Sequence, residues 1–154
     1  MKKLSTLIVL IALSAVVTIF SCKKSLDQYL KMDYASTVYP FNNNLNMYVY
    51  QTQGYSQIVG TNGPIFNTLT ANISGITPNT YLLGPTATSS ITLTKGTLTF
   101  SSQGAGGWGS LTISSMDNSK MYAQGSFYGT LINTLNSGDS ISIFNGTFAI
   151  KYQF

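Results

Sequence analysis

Apolar and polar side chains alternate with a period of two along most of the chain after residue 40. Leu45, Met47 and Val49 alternate with polar residues and tyrosines. In a second run the apolar positions are Ile65, Leu69, Ala71 and Ile73, and Phe66 falls among the polar positions. In a third run the apolar positions are Met121, Ala123, Phe127 and Leu131. Successive side chains of a strand point to opposite faces of a sheet, so these runs predict half-buried β-strands.

Turn signals separate the runs at short intervals. They are Gln53-Gly54, Asn62-Gly63-Pro64, Thr77-Pro78-Asn79, Gly84-Pro85, Lys95-Gly96, Gly104 to Gly109, Asp117-Asn118, Asn136 to Asp139 and Asn145-Gly146. Regular turns without a helical period predict a single antiparallel all-β domain over residues 41–154, built as a β-sandwich or as a flattened meander barrel. Gly125 and Gly129 lie on the apolar parity of the third run, which predicts a bend or the close approach of another strand.

One pattern occurs twice, as SITLTKGTLTF at residues 90–100 and SISIFNGTFAI at residues 140–150. Asn-Gly is a strong signal for a two-residue hairpin turn, because a type I′ turn needs positive φ at both central residues. A hairpin at 145–146 would pair Ile143 with Phe148 and Ile141 with Ile150, and we expect it there. The alternative at each site is one continuous strand with a β-bulge. This alternative carries more weight at Lys95-Gly96, where the turn signal is weaker. The repeat is either an old duplication or convergence on hairpin chemistry, and a match of only 11 positions favours convergence.

The amino terminus has the layout of a secretory signal. A positive start, Met1-Lys2-Lys3, precedes an apolar run from Leu4 to Phe20, and the chain turns polar after Cys22. Ile19 to Cys22 resembles the end of a bacterial lipoprotein signal. The resemblance implies a signal peptide over residues 1–21, cleavage before Cys22, and a lipid on the Cys22 sulfur that anchors the protein in a membrane. An uncleaved anchor helix is the alternative, since the apolar run is near the lower limit for spanning a bilayer.

Residues 22–40 are expected to form a lipidated tether. They are rich in charge and poor in periodic apolar positions. A helical turn is expected around Leu26 to Lys31, where Leu26, Tyr29 and Leu30 share one helical face. An extra edge strand is the alternative.

The composition excludes most catalytic chemistry. The chain has no His, Glu or Arg, and Cys22 is its only cysteine, so the usual general base, the usual nitrogen ligand for metals and a free thiolate are missing. Without Lys2 and Lys3 the net charge falls from +4 to +2, and the lysines are scattered. We therefore expect no enzyme activity, no metal site, no cofactor and no nucleic-acid partner.

Aromatic side chains on the polar parity of the strands are the candidate binding residues. They are Tyr48, Tyr50, Trp108, Tyr122 and Tyr128. Exposed aromatic rings beside Asn, Gln and Thr suit stacking on sugar rings or on flat protein surfaces. The alternative is structural, since tyrosine is also a good strand former and Trp108 could close one end of the core.

The carboxyl end also carries a family resemblance. Gly125-Ser126-Phe127, followed by SISIFNGTFAIKY at residues 140–152 and combined with Cys22-Lys23-Lys24, resembles small uncharacterised lipoproteins of Bacteroidota-type bacteria. The resemblance implies an outer-membrane lipoprotein and carries no activity with it; whether the domain faces the periplasm or the cell surface stays open. Asp139-Ser140-Ile141 resembles the short O-glycosylation acceptor of such bacteria, with a plain turn-to-strand junction as the alternative.

Two functions of different class are consistent with these features. The first is a noncatalytic binding module for carbohydrate or another envelope protein, held at the outer membrane by its lipid. The second is a structural or assembly subunit of an envelope complex, because a weakly charged β domain with exposed edges can pair with neighbours.

Overall fold

The computed structural model describes residues 26–62 and 65–154, which fold as an all-β domain, as the sequence predicts. The strands are β1 (Tyr29–Tyr34), β2 (Thr37–Pro40), β3 (Asn43–Tyr50), β4 (Tyr55–Thr61), β5 (Thr68–Ile73), β6 (Asn79–Leu83), β7 (Ser90–Lys95), β8 (Leu98–Ser101), β9 (Trp108–Asp117), β10 (Tyr122–Asn133) and β11 (Ser140–Gln153). The expected signal peptide and Cys22 lie outside the described residues. Within those residues, no helix has the length and apolar character needed to cross a membrane.

The strands form one sheet of eleven strands in the order β2-β1-β11-β3-β4-β5-β7-β8-β10-β9-β6, and β10 also pairs with β11. That additional pairing closes a ring through β3, β4, β5, β7, β8, β10 and β11. The hairpin β1–β2 extends from β11 outside this ring, and the pair β9–β6 extends from β10. Every strand pair is antiparallel except β11–β3, which is parallel. A single closed sheet is therefore the architecture that the chain adopts.

The core consists of the inward parity of the strands. Met47 and Val49 on β3, Leu69 on β5, and Phe127 and Leu131 on β10 are buried as the alternation predicts. The parity assigned to residues 65 and 66 is wrong, because these residues precede β5 in a non-strand segment. There Phe66 is fully buried, with its ring edge-on to Tyr34 and Tyr39, and Ile65 is exposed.

Residues 29–40 belong to the sheet, which corrects the expectation of a helical turn and a tether reaching Pro40. β1 pairs with β11 and β2 with β1, so the alternative of an extra edge strand describes this segment. Leu30 and Met32 are both buried in the core. Their spacing of two residues fits a strand. As a strand beside β11, this segment buries both side chains, whereas one isolated helical turn would leave them exposed.

The expected hairpin at Asn145-Gly146 is also wrong, because β11 runs through it as one strand from Ser140 to Gln153. Along the β10–β11 ladder, Phe127 faces Gly146 and Gly129 faces Ile143. One residue of β10, Tyr128, therefore opposes two of β11, which is a β-bulge. The bulge moves the buried parity from Ile141 and Ile143 to the even positions Phe148, Ile150 and Tyr152.

Gly146 serves packing instead of a turn. It lacks the positive φ that a type I′ turn needs, and a Cβ on it would overlap the ring of Phe127. The relation is reciprocal, because Gly125 of β10 faces Phe148 of β11. A Cβ on Gly125 would lie 2.6 Å from Cζ of Phe148. The Gly-Ser-Phe and Gly-Thr-Phe segments are thus paired partners, each phenylalanine covering the other segment's glycine.

The other copy of the pattern does form a hairpin. β7 and β8 pair Leu93 with Phe100 and Lys95 with Leu98, so the two-residue turn is Gly96-Thr97, one position later than Lys95-Gly96. Gly96 has a φ of 59° and Thr97 is not among the residues with positive φ. Positive φ at the first central residue alone is typical of a type II′ turn, in which glycine is favoured at that position. The shift by one residue leaves Lys95 in the strand, so lysine does not have to adopt a positive φ.

Candidate functional site

The five aromatic residues predicted as binding residues lie in three places on the sheet. Trp108 and Tyr128 lie together on β9 and β10, and their ring centroids are 6.0 Å apart in an edge-to-face arrangement. Tyr48 and Tyr50 lie on β3 with their rings 6.4 Å apart. Tyr122 lies near the start of β10, where it contacts the segment before β1. The five candidates therefore divide into two aromatic clusters and one separate tyrosine.

Trp108, Tyr128 and Phe144 form an exposed surface that we call the aromatic groove. Their side chains are 55%, 48% and 69% exposed. The groove between them has a volume of about 90 Å³, and its remaining lining consists of Gly129, Thr130, Ser142 and Ile143. Three large rings exposed side by side in a protein with few charges are typical of a binding surface.

A pair of glycines brings the strands together beneath these rings. Gly109 of β9 faces Gly129 of β10, and their φ angles are 151° and 156°. A Cβ on Gly129 would overlap the carbonyl oxygen of Trp108, and one on Gly109 would overlap that of Tyr128. The close approach of another strand that the sequence predicts at Gly129 is confirmed. Because each glycine is next to one of the two aromatic residues, the approach sets the distance between their rings.

The bulge on β11 supplies the third ring. Phe144 and Asn145 are both exposed and both stand opposite Tyr128. The Asn145 side chain turns away from the groove and donates a hydrogen bond of 2.9 Å to Oδ2 of Asp33, which leaves the Phe144 ring beside Trp108 and Tyr128. Sequence reasoning missed Phe144 because the expected hairpin ended its strand at that position. A continuous strand would have placed it on the outward parity with Ser142.

Hydroxyl groups lie between the rings, and among the described residues no charged side chain lines the groove. Thr130 and Ser142 are cross-strand neighbours, and their hydroxyl oxygens are 3.3 Å apart. Trp108 of β9 is the cross-strand neighbour of Thr130 on its other side, so Trp108, Thr130 and Ser142 form one row across the outer face of the sheet. The groove therefore offers aromatic faces together with neutral donors and acceptors.

The second cluster contains Tyr48, Tyr50 and Tyr55. Tyr50 and Tyr55 are cross-strand partners, and their rings stack with centroids 4.3 Å apart. Desolvation raises the pKa of Tyr50 above its ordinary value, and neighbouring Tyr55 adds to this. Beside them Gln57 donates a hydrogen bond of 2.8 Å to Asn72. Tyr55 was not predicted, although its position directly after the Gln53-Gly54 turn places it opposite Tyr50.

Tyr122 has a structural role. Its hydroxyl donates a hydrogen bond of 2.9 Å to the backbone oxygen of Asp27, and desolvation raises its pKa. Nearby, the backbone N–H of Lys151 donates to Oε1 of Gln28. These contacts fix the segment that leads into β1 against β10 and β11, so the Tyr122 hydroxyl is engaged within the protein.

Two of the aspartates, Asp117 and Asp139, have partners close to them in the sequence. Oδ1 of Asp117 accepts hydrogen bonds from the Ser119 hydroxyl and from the backbone N–H groups of Ser119 and Lys120. These bonds, the Ser119 hydroxyl first, lower the pKa of Asp117 to about 2. Asp139 accepts a hydrogen bond of 3.1 Å from Asn133. In the part of the chain that the structure describes, no three acidic, His or Cys residues gather into a set that could hold a metal ion.

Comparison with known proteins identifies a family and nothing more specific. No curated protein and no solved structure matches the chain. A family model described as "Domain of unknown function (DUF6252)" matches residues 35–150. The matched range contains the aromatic groove and the paired Gly-Ser-Phe and Gly-Thr-Phe segments, and it spans most of the chain. The chain therefore belongs to the DUF6252 family.

Proposed function

We propose that the protein is an outer-membrane lipoprotein whose β domain is a noncatalytic binding module for carbohydrate. The observation that carries the proposal is the aromatic groove, in which Trp108, Tyr128 and Phe144 are exposed around the hydroxyls of Thr130 and Ser142. Sugar rings combine apolar C–H faces with many hydroxyl groups. Aromatic faces and neutral hydroxyls match both features, so the groove suits a neutral sugar.

Charge supports a neutral ligand. Between residues 26 and 154, Lys31, Lys95, Lys120 and Lys151 balance Asp27, Asp33, Asp117 and Asp139. None of these residues lines the groove. An acidic or sulfated polysaccharide would find no cation to pair with there, so the binding free energy must come from stacking, burial and neutral hydrogen bonds.

The position of the groove fits display from an amino-terminal lipid anchor on Cys22. Tyr122 bonds Asp27, where the chain arrives from its amino terminus, and Tyr128 lies six residues further along β10. At about 3.3 Å per strand residue this separation is roughly 20 Å. An anchor at the amino terminus would therefore hold the groove away from the bilayer surface, where a polymer can reach it.

Tryptophan fluorescence tests the carbohydrate proposal, because Trp108 is the only tryptophan. We expect the full chain in detergent micelles to change its emission with at least one neutral glycan of a broad panel, and not with the matched uronic acid polymers. Tyr128→Ala and Phe144→Ala should abolish the change. Leu135→Ala, which truncates a side chain that is 82% exposed outside the groove, should retain it. Emission unchanged by every neutral glycan would refute carbohydrate binding.

A structural or assembly subunit of an envelope complex is the second candidate. Within the described residues, the sheet ends in β2 and β6, each of which has a strand neighbour on one side only. Open edges can pair with other chains, although Pro40 and the short length of β2 weaken that edge. Concentration-dependent oligomers of the purified chain, abolished by a charge placed at one edge strand, would support assembly. A chain that stays monomeric at high concentration would contradict self-assembly.

A further inference from the structure

The free edge of β6 is a second surface, and the groove proposal makes no use of it. Within the described residues, β6 is the last strand of the sheet, with β9 as its strand neighbour and one isolated bridge at Leu83 on its other side. The backbone N–H of Thr80 donates to Oδ1 of the adjacent Asn79 at 2.8 Å, although Thr80 faces Thr112 in the ladder. Alternate residues of an antiparallel strand direct their backbone groups to opposite sides, so Thr80 and Leu82 direct theirs toward the free edge.

A cleft of about 550 Å³ lies along this edge. One wall is β6 with Gly84, and the other is formed by Ser74 and by residues 86–88. All the side chains that line it are uncharged. The cleft therefore places the free side of an edge strand beside an open space with neutral walls.

The chain itself shows that the edge accepts a strand. At one end of the cleft, Leu83 forms a single parallel bridge with Ser89. Before this bridge the chain makes a turn, in which the backbone N–H of Ala87 donates to the Gly84 oxygen at 3.1 Å. Residues 86–88 consequently form the far wall instead of continuing the bridge along β6. The edge from Thr80 to Leu82 is left beside the open cleft.

The far wall also decides what can enter. An edge strand of a folded domain brings the rest of its sheet with it and would meet Ser74 and residues 86–88, so pairing between whole folded domains is left to the β2 edge. A single extended segment avoids that collision. Leu82, 73% exposed beside the edge, would contact a side chain of such a segment across the strands.

We propose that this cleft binds an extended, uncharged peptide segment of a partner polypeptide, which adds to β6 as a further strand. Backbone hydrogen bonds supply affinity in this mode, and the side chains of alternate residues supply selectivity. The proposal is independent of carbohydrate binding, since it uses a different surface and a different ligand chemistry.

Peptides with blocked amides test the backbone pairing directly. The probe is a hexapeptide of alternating Thr and Val, acetylated and amidated at its ends, titrated into the ¹⁵N-labelled full chain in micelles. Two matched peptides carry N-methyl groups on the odd or on the even amides. Because a strand uses alternate amides for one partner, only one of the two should lose affinity, about tenfold or more, and the unmodified peptide should slow hydrogen exchange at the Leu82 amide. Equal affinity of the two methylated peptides, or no binding of the parent peptide, would overturn the proposal.

A charge at the edge provides the variant test. Leu82→Lys changes an exposed side chain, so the melting temperature should stay close to that of the wild type, while affinity for the peptide falls about tenfold. Leu135→Lys, at another exposed leucine outside the cleft, is the matched control and should bind as the wild type does. Unchanged affinity in Leu82→Lys, or chemical shift changes confined to the aromatic groove, would contradict a site on β6. The N-methyl comparison still decides the matter if Leu82→Lys does not fold.

Discussion

At the scale of single residues, the glycines beneath the aromatic groove determine how closely the strands approach. Gly129 has a φ of 156° and no space for a Cβ beside the Trp108 carbonyl. We expect Gly129→Ala to destabilise the protein by about 1–3 kcal/mol, because added volume must push β9 and β10 apart. Gly138→Ala is the matched control: a Cβ there would lie 3.4 Å from Asn136 Oδ1 and its φ is not positive. Urea unfolding measures both, and equal midpoints would contradict the packing argument.

Asp117 gives a pH dependence at the same scale. Its folded pKa of about 2 lies below the ordinary 3.8, so its hydrogen bonds stabilise the β9–β10 turn above roughly pH 4 and are lost as the pH falls from 3.8 toward 2. The side chain is exposed, and we expect the effect to be small but specific. The melting temperature of Asp117→Asn should decline less over this range than that of the wild type. Parallel declines of the two proteins would show that other groups control acid unfolding.

At the scale of elements, the bulge in β11 joins the core to the candidate site. It places Phe144 and Asn145 outside and restores Phe148, Ile150 and Tyr152 to the interior. Without it, every inward side chain after the bulge would face solvent, since the side-chain period of a strand is two residues.

Deleting Phe144 and Asn145 together should therefore prevent folding, because β11 is then one residue too short for its pairing with β10 and every later side chain turns to the opposite face. Asn145→Ala removes only the hydrogen bond to Asp33 and should cost about 1 kcal/mol or less. Dispersion of the amide resonances in the NMR spectrum distinguishes the two outcomes. A folded deletion variant with native dispersion would show that β11 tolerates a shift in register, contrary to this account.

The same element shows what the sequence could and could not predict. Alternation places Met47, Leu69 and Phe127 in the core, because burial of one face depends only on local periodicity. Alternation could not decide between a hairpin and a bulge at Asn145-Gly146, because both satisfy the pattern. Glycine is required at position 146 because the ring of Phe127, on another strand, fills the space that a Cβ would occupy. Likewise, β1 forms through its pairing with β11, which lies more than 100 residues later in the chain, so local sequence could not predict it.

At the scale of the whole molecule, the closed sheet brings distant segments into one surface. Trp108 and Tyr128 were predictable as outward aromatic residues from their parity. Their contact with each other, and the position of Phe144 on the same groove, depend on the register of three strands and on two irregularities in it. Sheet topology also separates Tyr48 and Tyr50 from them, so residue type and parity alone identify candidates without grouping them into sites.

The central claim is that the aromatic groove binds a neutral glycan. Calorimetric titration of the full chain with the glycan that gives the largest fluorescence change tests it most directly, with Trp108→Ala and Leu135→Ala in parallel. Loss of a central aromatic contact should weaken binding about tenfold or more, which corresponds to at least about 1.4 kcal/mol, and Leu135→Ala should match the wild type. A Trp108→Ala variant that is folded and binds the glycan as tightly as the wild type would contradict the account.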